Sequence, residues 1–495
     1  LGAGRLRLIR QFLTESIMLA LAGGLMGTLL AMWGVELLTR LGPGTIPRLD
    51  EVRLNWPVLL FTLGISVLTG MVFGLIPALH ATNPNLTESL KEGGRSSTEG
   101  RRGARLRSAL VVAEIAIALV MLIGAGLMVK SFIRLQSVDP GFKPERILAI
   151  DLSLPSAKYK EQAQQLAFWN QLTGRVSQLP GVERVAAVNT IPFTGGSVLA
   201  FSVEGRPAPA PGGNTPDAEH RVVTPGYFDA MGIPLVRGSA ITEQHNGNSP
   251  AVTVINETMA RKHFPGEDPI GKRINLGDPE KSPWLTVIGI VKDVRQKALD
   301  EEPYPQMYVP YAQFPSRFMT LVARTSSDPS MLVPAIRSEL SAMDKDQPLY
   351  NVRTMEQVMS ESIARQRFSM LLIAIFAGVG LLLASVGIYG VMSYTVAQRT
   401  HEIGVRMALG ASASDVLKMV VRQGMLMAVM GTGIGLAVAF LLTRFISSLL
   451  FNVSASDPLT YLLLSLLLIS VALLACLIPA RRATRVDPMV ALRYE

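Results

Sequence analysis

Apolar residues fall into two textures along the chain. Six runs of about 20 residues, the length that crosses a hydrocarbon core, lie near 17–39, 57–79, 109–129, 368–392, 424–447 and 459–479. Apart from Arg444 near the end of the fifth, none carries Lys or Arg. Between 130 and 367 the runs shorten, and Pro, Gly and charged residues return. Ile147–Leu154, Val182–Thr190, Thr286–Val291 and Phe318–Arg324 read as strands there, by alternation or β-rich composition. Gln162–Leu179 has helical spacing, and Ser330–Met343 reads as a helix with Pro334 near its first turn. The stretch 205–217 is rich in Pro and Gly and marks a crossover. The pattern thus predicts an α-helical transmembrane bundle of six spans and a large α+β extracytoplasmic domain of two subdomains. The second subdomain is an insertion at about 205–285.

Composition agrees with immersion in lipid. Hydrophobic residues make up 49% of the chain and mean hydropathy is +0.33. Charged residues are 17%, against about 25% in ordinary globular chains. This balance excludes a disordered chain and an ordinary soluble enzyme. A single cysteine, Cys476, excludes an internal disulfide, and the five histidines show no ligand spacing. The net charge of +9 is placed where topology would put it. Arg5, Arg7 and Arg10 precede the first run, and Lys91, Arg95, Arg101, Arg102, Arg105 and Arg107 fill the connection after the second. Arg399, Arg406, Lys418 and Arg422 follow the fourth run, and Arg481, Arg482, Arg485 and Arg493 end the chain. By the positive-inside rule both termini are cytoplasmic and residues 130–367 lie outside. Topogenic charge accounts for the basicity, so nucleic acid is not an expected partner; membrane lipid is.

No catalytic constellation is visible. Gly266-Glu-Asp-Pro-Ile-Gly271-Lys272-Arg273 approximates a phosphate loop, but Arg273 stands where a Mg²⁺-binding hydroxyl belongs. His401-Glu402 lacks the second histidine of a zinc-protease helix, and Asn256-Glu-Thr matches a glycosylation sequon by pattern alone. No metal site or cofactor is expected. Glu114, near the start of the third run, is an intramembrane acid, either a functional group or a snorkelling and helix-pairing residue. The pairs Gly23/Gly27, Gly70/Gly74 and Gly431/Gly435 carry the small-residue spacing that lets membrane helices approach closely.

The chain also repeats itself. With Leu1 aligned to Leu409, Leu1-Gly2-Ala3 matches Leu409-Gly410-Ala411, Gly23 meets Gly431, Gly27 meets Gly435 and Ala31 meets Ala439. After a small gap, Pro77-Ala78 matches Pro479-Ala480 and Leu90-Lys91 matches Leu492-Arg493. Residues 1–92 therefore repeat 409–495, as in membrane proteins built from paired halves. The second copy is preceded by a span, the outside domain and another span. This predicts that a longer segment precedes Leu1.

Several stretches carry a family resemblance. Gly387-Ile-Tyr-Gly-Val-Met-Ser-Tyr394 and Arg399-Thr-His-Glu402-Ile-Gly404-Val-Arg406-Met-Ala-Leu-Gly410-Ala resemble the FtsX-like permeases of ABC transporters, more closely the MacB-type branch. Pro479 to Arg493 is similar to that family's C-terminus, and Ala113-Glu114-Ile-Ala with Gly124-Ala-Gly-Leu-Met to its first span. Phe264 to Gly271 and Gly289 to Arg295 are similar to its periplasmic domain. The duplicated layout resembles the acidobacterial duplicated orphan permeases.

The resemblance implies an organisation. Residues 1–92 would be the last two spans and cytoplasmic end of a first unit, and 93–108 a basic linker. A complete second unit would follow, with its first span at 109–129, a periplasmic core at 130–367 and a three-span permease domain at 368–495. It further implies an inner-membrane permease subunit that carries ATPase-driven motion to the periplasmic domain for export. ATP would be used by a separate cytoplasmic ATPase. A cytoplasmic helix at about 400–412 would dock there, with Glu402, Ile403, Gly404, Arg406, Met407 and Gly410 as coupling residues. The alternative for that segment is an interfacial helix lying on lipid. Glu402 and Arg406 stand i,i+4 with the acid first, the favourable order. The other functional readings are a scaffold regulating a periplasmic partner such as a cell-wall hydrolase, or lipoprotein release. Further implied partners are a periplasmic adaptor or hydrolase, and either a first unit completing a pseudo-dimer or a second copy forming a homodimer.

Overall fold

A computed structural model describes residues 5–41, 55–81, 98–206, 215–277, 282–447 and 450–484. Residues 82–97 and 485–495, which hold parts of the expected cytoplasmic charge, lie outside the described residues. The chain divides into two compact units, Leu1–Ser131 with Gln366–Glu495, and Phe132–Arg365.

The first unit is helical. Its long helices are Arg5–Leu41, Trp56–Ala81, Thr98–Gln136, Ala364–Gln398, Ala413–Leu442 and Pro458–Ala483, and the short helix Thr400–Ala408 joins two of them. Five of these contain a window long and apolar enough to cross a membrane. In Trp56–Ala81 the apolar stretch found among the described residues is shorter, Trp56–Val72. Leu, Ile, Val and Met fill the helix surfaces all round, the signature of a rod with no water on any side. The core of this unit gathers Ile115, Leu119 and Ile123 with Ala384, Ile388, Met427, Leu468 and Cys476.

The second unit is mixed. Its strands are β1 (Ile147–Ser153), β2 (Val182–Val188), β3 (Ser197–Val203), β4 (Asp217–Val223), β5 (Leu235–Gly238) and β6 (Val252–Asn256). They continue as β7 (Arg273–Leu276), β8 (Trp284–Val291), β9 (Gln306–Pro310), β10 (Phe318–Thr325) and β11 (Tyr350–Thr354). β11, β1, β10 and β2 form an antiparallel sheet in that order. Helices Gln162–Val176 and Val333–Met343 cover it, burying Phe168, Trp169, Leu172 and Ile336 against Leu148, Ile150 and Leu152.

The remaining strands close on themselves. β3 pairs with β4 and β7, β7 with β8, β8 with β6, β6 with β9, and β9 returns to β4. Closure pairs each strand of the ring with two others; β5 pairs with Gly289–Val291 of β8, beyond the stretch of that strand paired with β7. A single ladder pair, Val188 with Val223, joins β2 to β4. The ring strands run from Ser197 to Pro310, a wider span than the 205–285 segment read from the Pro/Gly pattern. The difference arises because β3 and β9 look no different from their neighbours in sequence but pair only within the ring.

On β4, Arg221 is fully buried and donates through Nη2 to Glu219, Gln296 and the Gly195 carbonyl at 3.0–3.1 Å. A Cβ at Gly196 would collide with that guanidinium, which is why glycine stands there.

Candidate functional site

Helix Thr98–Gln136 is the centre of the helical unit. Gly431 and Gly435 bring Ala413–Leu442 hard against it. A Cβ at Gly431 would lie 2.7 Å from Ile115 Cβ and 2.9 Å from the Val112 carbonyl. One at Gly435 would lie 2.9 Å from the Ala116 carbonyl. Helix Pro458–Ala483 packs beside the same rod: a Cβ at Gly126 would come 2.6 Å from Leu464 Cδ1 and 3.1 Å from Thr460 Cγ2. Gly424 seats the Cys476 thiol in the same manner.

Glu114 faces helix Ala364–Gln398. Its carboxylate occupies the space that a side chain at Gly387 would fill, so that glycine is what admits the acid. One and a half to two turns toward the helix start, the Arg107 guanidinium stacks over the Tyr394 ring at 4.1 Å, a contact worth about 0.5–1 kcal/mol where exposed. At the opposite end Lys130 Nζ reaches Asp457 Oδ2 at 2.7 Å. Asp457 also caps Pro458–Ala483 by accepting from the Thr460 amide and hydroxyl. The Lys130 ammonium and these donors hold the Asp457 carboxyl down to about 2. The Phe451 amide donates to Ser131 Oγ at 2.8 Å. Both ends of Thr98–Gln136 are thus fastened to other helices of its unit.

The sequence pointed to Gly23 with Gly27 and to Gly70 with Gly74 as packing pairs; the close approach between the first two helices falls at Gly70 and not at Gly23 or Gly27. Cβ atoms at Gly23 and Gly27 would meet nothing within 4 Å among the described residues. The contact is made by Gly70, where a Cβ would lie 2.6 Å from Ala20 Cβ and 3.1 Å from the Ser16 carbonyl.

Thr400–Ala408 is a short helix at one end of the bundle. Arg406 Nη2 meets Glu402 Oε1 at 2.6 Å, and Arg399 Nε lies 3.9 Å from Glu402 Oε2. Both side chains of the closer pair are about half exposed, so it adds about 0.3–0.5 kcal/mol of helix support. Arg406 Nη1 also approaches Met419 Sδ at 2.9 Å.

Gly410 ends the helix in the left-handed region at φ +99°. The Gly410 amide donates to the Met407 carbonyl and the Ala411 amide to the Arg406 carbonyl. Ser412 then caps Ala413–Leu442 in a reciprocal pair with Asp415.

The expected apolar docking face is corrected by burial. Ile403 is 1% exposed and joins the bundle core, Gly404 is buried beside it, and Met407 packs against that core. These three anchor the helix to its own unit. The open face carries Glu402, Arg406, Ala408 and Leu409, and Leu409 is 83% exposed. Helical spacing placed Ile403 and Met407 on one face; it held no information about which way that face turns.

Other sequence features take structural roles. Residues 266–272 form turns leading into β7, with Gly266 and Gly271 at positive φ. Asn256 is fully buried; its Oδ1 caps the following helix at the Met259 amide, and its Nδ2 donates to the Tyr304 carbonyl. Gly387, Gly126 and the Lys130–Asp457 pair were not singled out from sequence. Glycine inside an apolar run, and a lysine where a span ends, were the available signals.

Residues 374–488 match the FtsX-like permease C-terminal family, and residues 108–339 match the MacB-like periplasmic core domain. The pyoverdine export ATP-binding/permease protein PvdT of Pseudomonas syringae pv. syringae is 26% identical over 331 residues, 63% of this chain and 48% of that protein. The macrolide export ATP-binding/permease protein MacB of Marinobacter nauticus is 27% identical over 277 residues, 53% of this chain and 41% of that protein. The chain spans about half the length of the curated relatives it matches. Among solved structures, the periplasmic region of MacB from Actinobacillus actinomycetemcomitans aligns at 16% identity and a TM-score of 0.32, over 46% of this chain and 95% of that one.

A membrane-helix unit joined to an extracytoplasmic core domain defines the class, a multi-pass permease of the inner membrane. The chain belongs to the MacB-type branch of the FtsX-like ABC transporter permeases.

Proposed function

We propose that the chain is the permease part of an export system. In this reading it passes ATPase-driven motion from a cytoplasmic partner to the domain 132–365, and so drives a substrate outward. Relatives named for pyoverdine and macrolide export support this direction of transport. Their names join an ATP-binding part to a permease part. The families matched here are the permease and periplasmic core, and in this reading ATP hydrolysis belongs to an ATPase partner, separate or fused. The basic segments around the spans support a cytoplasmic position for both termini and for Thr400–Ala408.

The observation that carries the proposal is the open face of Thr400–Ala408. A protruding Leu409 beside a half-exposed Glu402–Arg406 pair offers an apolar knob with a charged rim, the anatomy of a protein docking face. Ile403, Gly404 and Met407 hold that face rigidly to the bundle, so a push on it moves the spans. Helices Thr98–Gln136 and Ala364–Gln398 lead directly into and out of the outside domain in sequence, so motion reaches it without passage of substrate between the spans.

The test is affinity purification from detergent-solubilised native membranes, reading ATP hydrolysis that co-purifies with the chain. Leu409→Asp combined with Arg406→Glu should lower that activity at least tenfold while leaving yield and thermal stability of the chain unchanged. Undiminished activity in that variant would remove the docking role.

A further inference from the structure

The two copies of the internal repeat differ in what covers one face. In the second copy, the buried face of Ala413–Leu442 includes Gly424, Met427, Ala428, Gly431, Gly435 and Ala439. Thr98–Gln136 lies on its glycine pair, through Val112, Ile115, Ala116 and Leu119. In the register that aligns Leu1 with Leu409, the counterparts are Ser16, Leu19, Ala20, Gly23, Gly27 and Ala31. All six line an open groove of about 720 Å³ between Arg5–Leu41 and Trp56–Ala81. The face that is buried in one copy is laid open in the other.

The groove has the character of a helix seat. Gly23 and Gly27 have room for a Cβ and do not use it, although each glycine in a helix costs about 1 kcal/mol relative to alanine. The hydroxyls of Thr28, Thr62 and Ser66 in the wall are turned inward to their own helices. Thr28 Oγ1 donates to the Gly24 carbonyl, Thr62 to Val58 and Ser66 to Thr62, at 2.8–3.0 Å. What remains facing the groove is mostly carbon and glycine backbone, the surface on which membrane helices pack by close approach.

We propose that this groove seats a membrane-spanning helix of the Thr98–Gln136 type supplied by a partner. The occupant carries a stripe of small and branched apolar residues equivalent to Val112, Ile115, Ala116 and Leu119. A second copy of this chain cannot supply it without loss. The stripe of Thr98–Gln136 is already engaged by Gly431 and Gly435 within its own unit, so a second copy offering that helix would give up this contact. The proposal stands apart from the ATPase-docking face, which lies on other residues.

The experiment uses the full chain in phosphatidylcholine nanodiscs and, as probe, a fluorescent synthetic peptide of residues 105–136. Anisotropy should show saturable one-to-one binding. Gly23→Leu with Gly27→Leu should weaken it at least tenfold, as should Ala31→Phe if the double variant does not fold. A peptide with Ile115→Phe and Ala116→Phe should fail to bind, while Leu25→Ala, on the outer surface of the same helix, should leave binding unchanged. Uptake that never saturates, binding indifferent to the groove variants, or equal binding of the altered peptide would overturn the proposal. So would peptide-free dimers that the groove variants dissociate, because the occupant would then be a second copy.

Discussion

Identical residues in the two repeat copies carry unequal consequences. Gly431 lies where any side chain runs into Ile115 and the Val112 carbonyl, whereas Gly23 faces open space. Gly431→Val should therefore destabilise the helical unit by about 1–3 kcal/mol, the usual cost of overpacking. Gly23→Val should stay within about 0.5 kcal/mol of the parent, as surface changes do. Thermal melts in detergent, monitored by loss of helical circular dichroism, would check both; equal effects would mean the two glycines share an environment. Sequence gave these positions the same spacing and the same reading. Their difference lies in a neighbour more than 300 residues away from one of them, which no local pattern encodes. Glu114 was legible as an unusual acid, but its accommodation by Gly387 depends on how two helices meet.

At the scale of elements, the turn between Thr400–Ala408 and Ala413–Leu442 is set by one residue. Gly410 adopts φ +99° and lets backbone amides close the end of the short helix. Gly410→Ala should cost about 1–2 kcal/mol, the penalty for a Cβ in that region. It should also loosen the presentation of Leu409. Hydrogen exchange across 400–412 should rise in that variant while exchange in Pro458–Ala483 stays unchanged.

The elements themselves were unevenly legible. β1, β2, β8 and β10 appear near their expected positions because apolar alternation or β-rich composition marks them. β4 was missed because Asp217-Ala-Glu-His-Arg reads as loop; its charges are buried by partners from Gln296 and the Gly195 carbonyl. β5 and β7 have four residues each, too short for any period to show.

For the whole molecule, hydropathy and basic segments carried most of the reading. Reporter fusions at residue 250 and at the C-terminus should report opposite sides of the membrane, the first outside and the second cytoplasmic. Both on one side would contradict the orientation proposed from charge. Closure of the ring was not legible, because β4 and β9 are brought together as parallel partners across more than 80 residues of chain.

The path of the chain through the open sheet has a mechanical consequence. β1 is the first strand of the domain and β11 the last, and they lie side by side with Leu148 opposite Thr354. Opposed tension applied at those two points would peel the rungs one after another, like adhesive tape lifted from a corner. Tension applied from opposite ends would have strained all of them together. The outer domain is therefore hung so that small forces between its stems are spent locally, at the mouth of one strand pair, leaving the closed ring at rest.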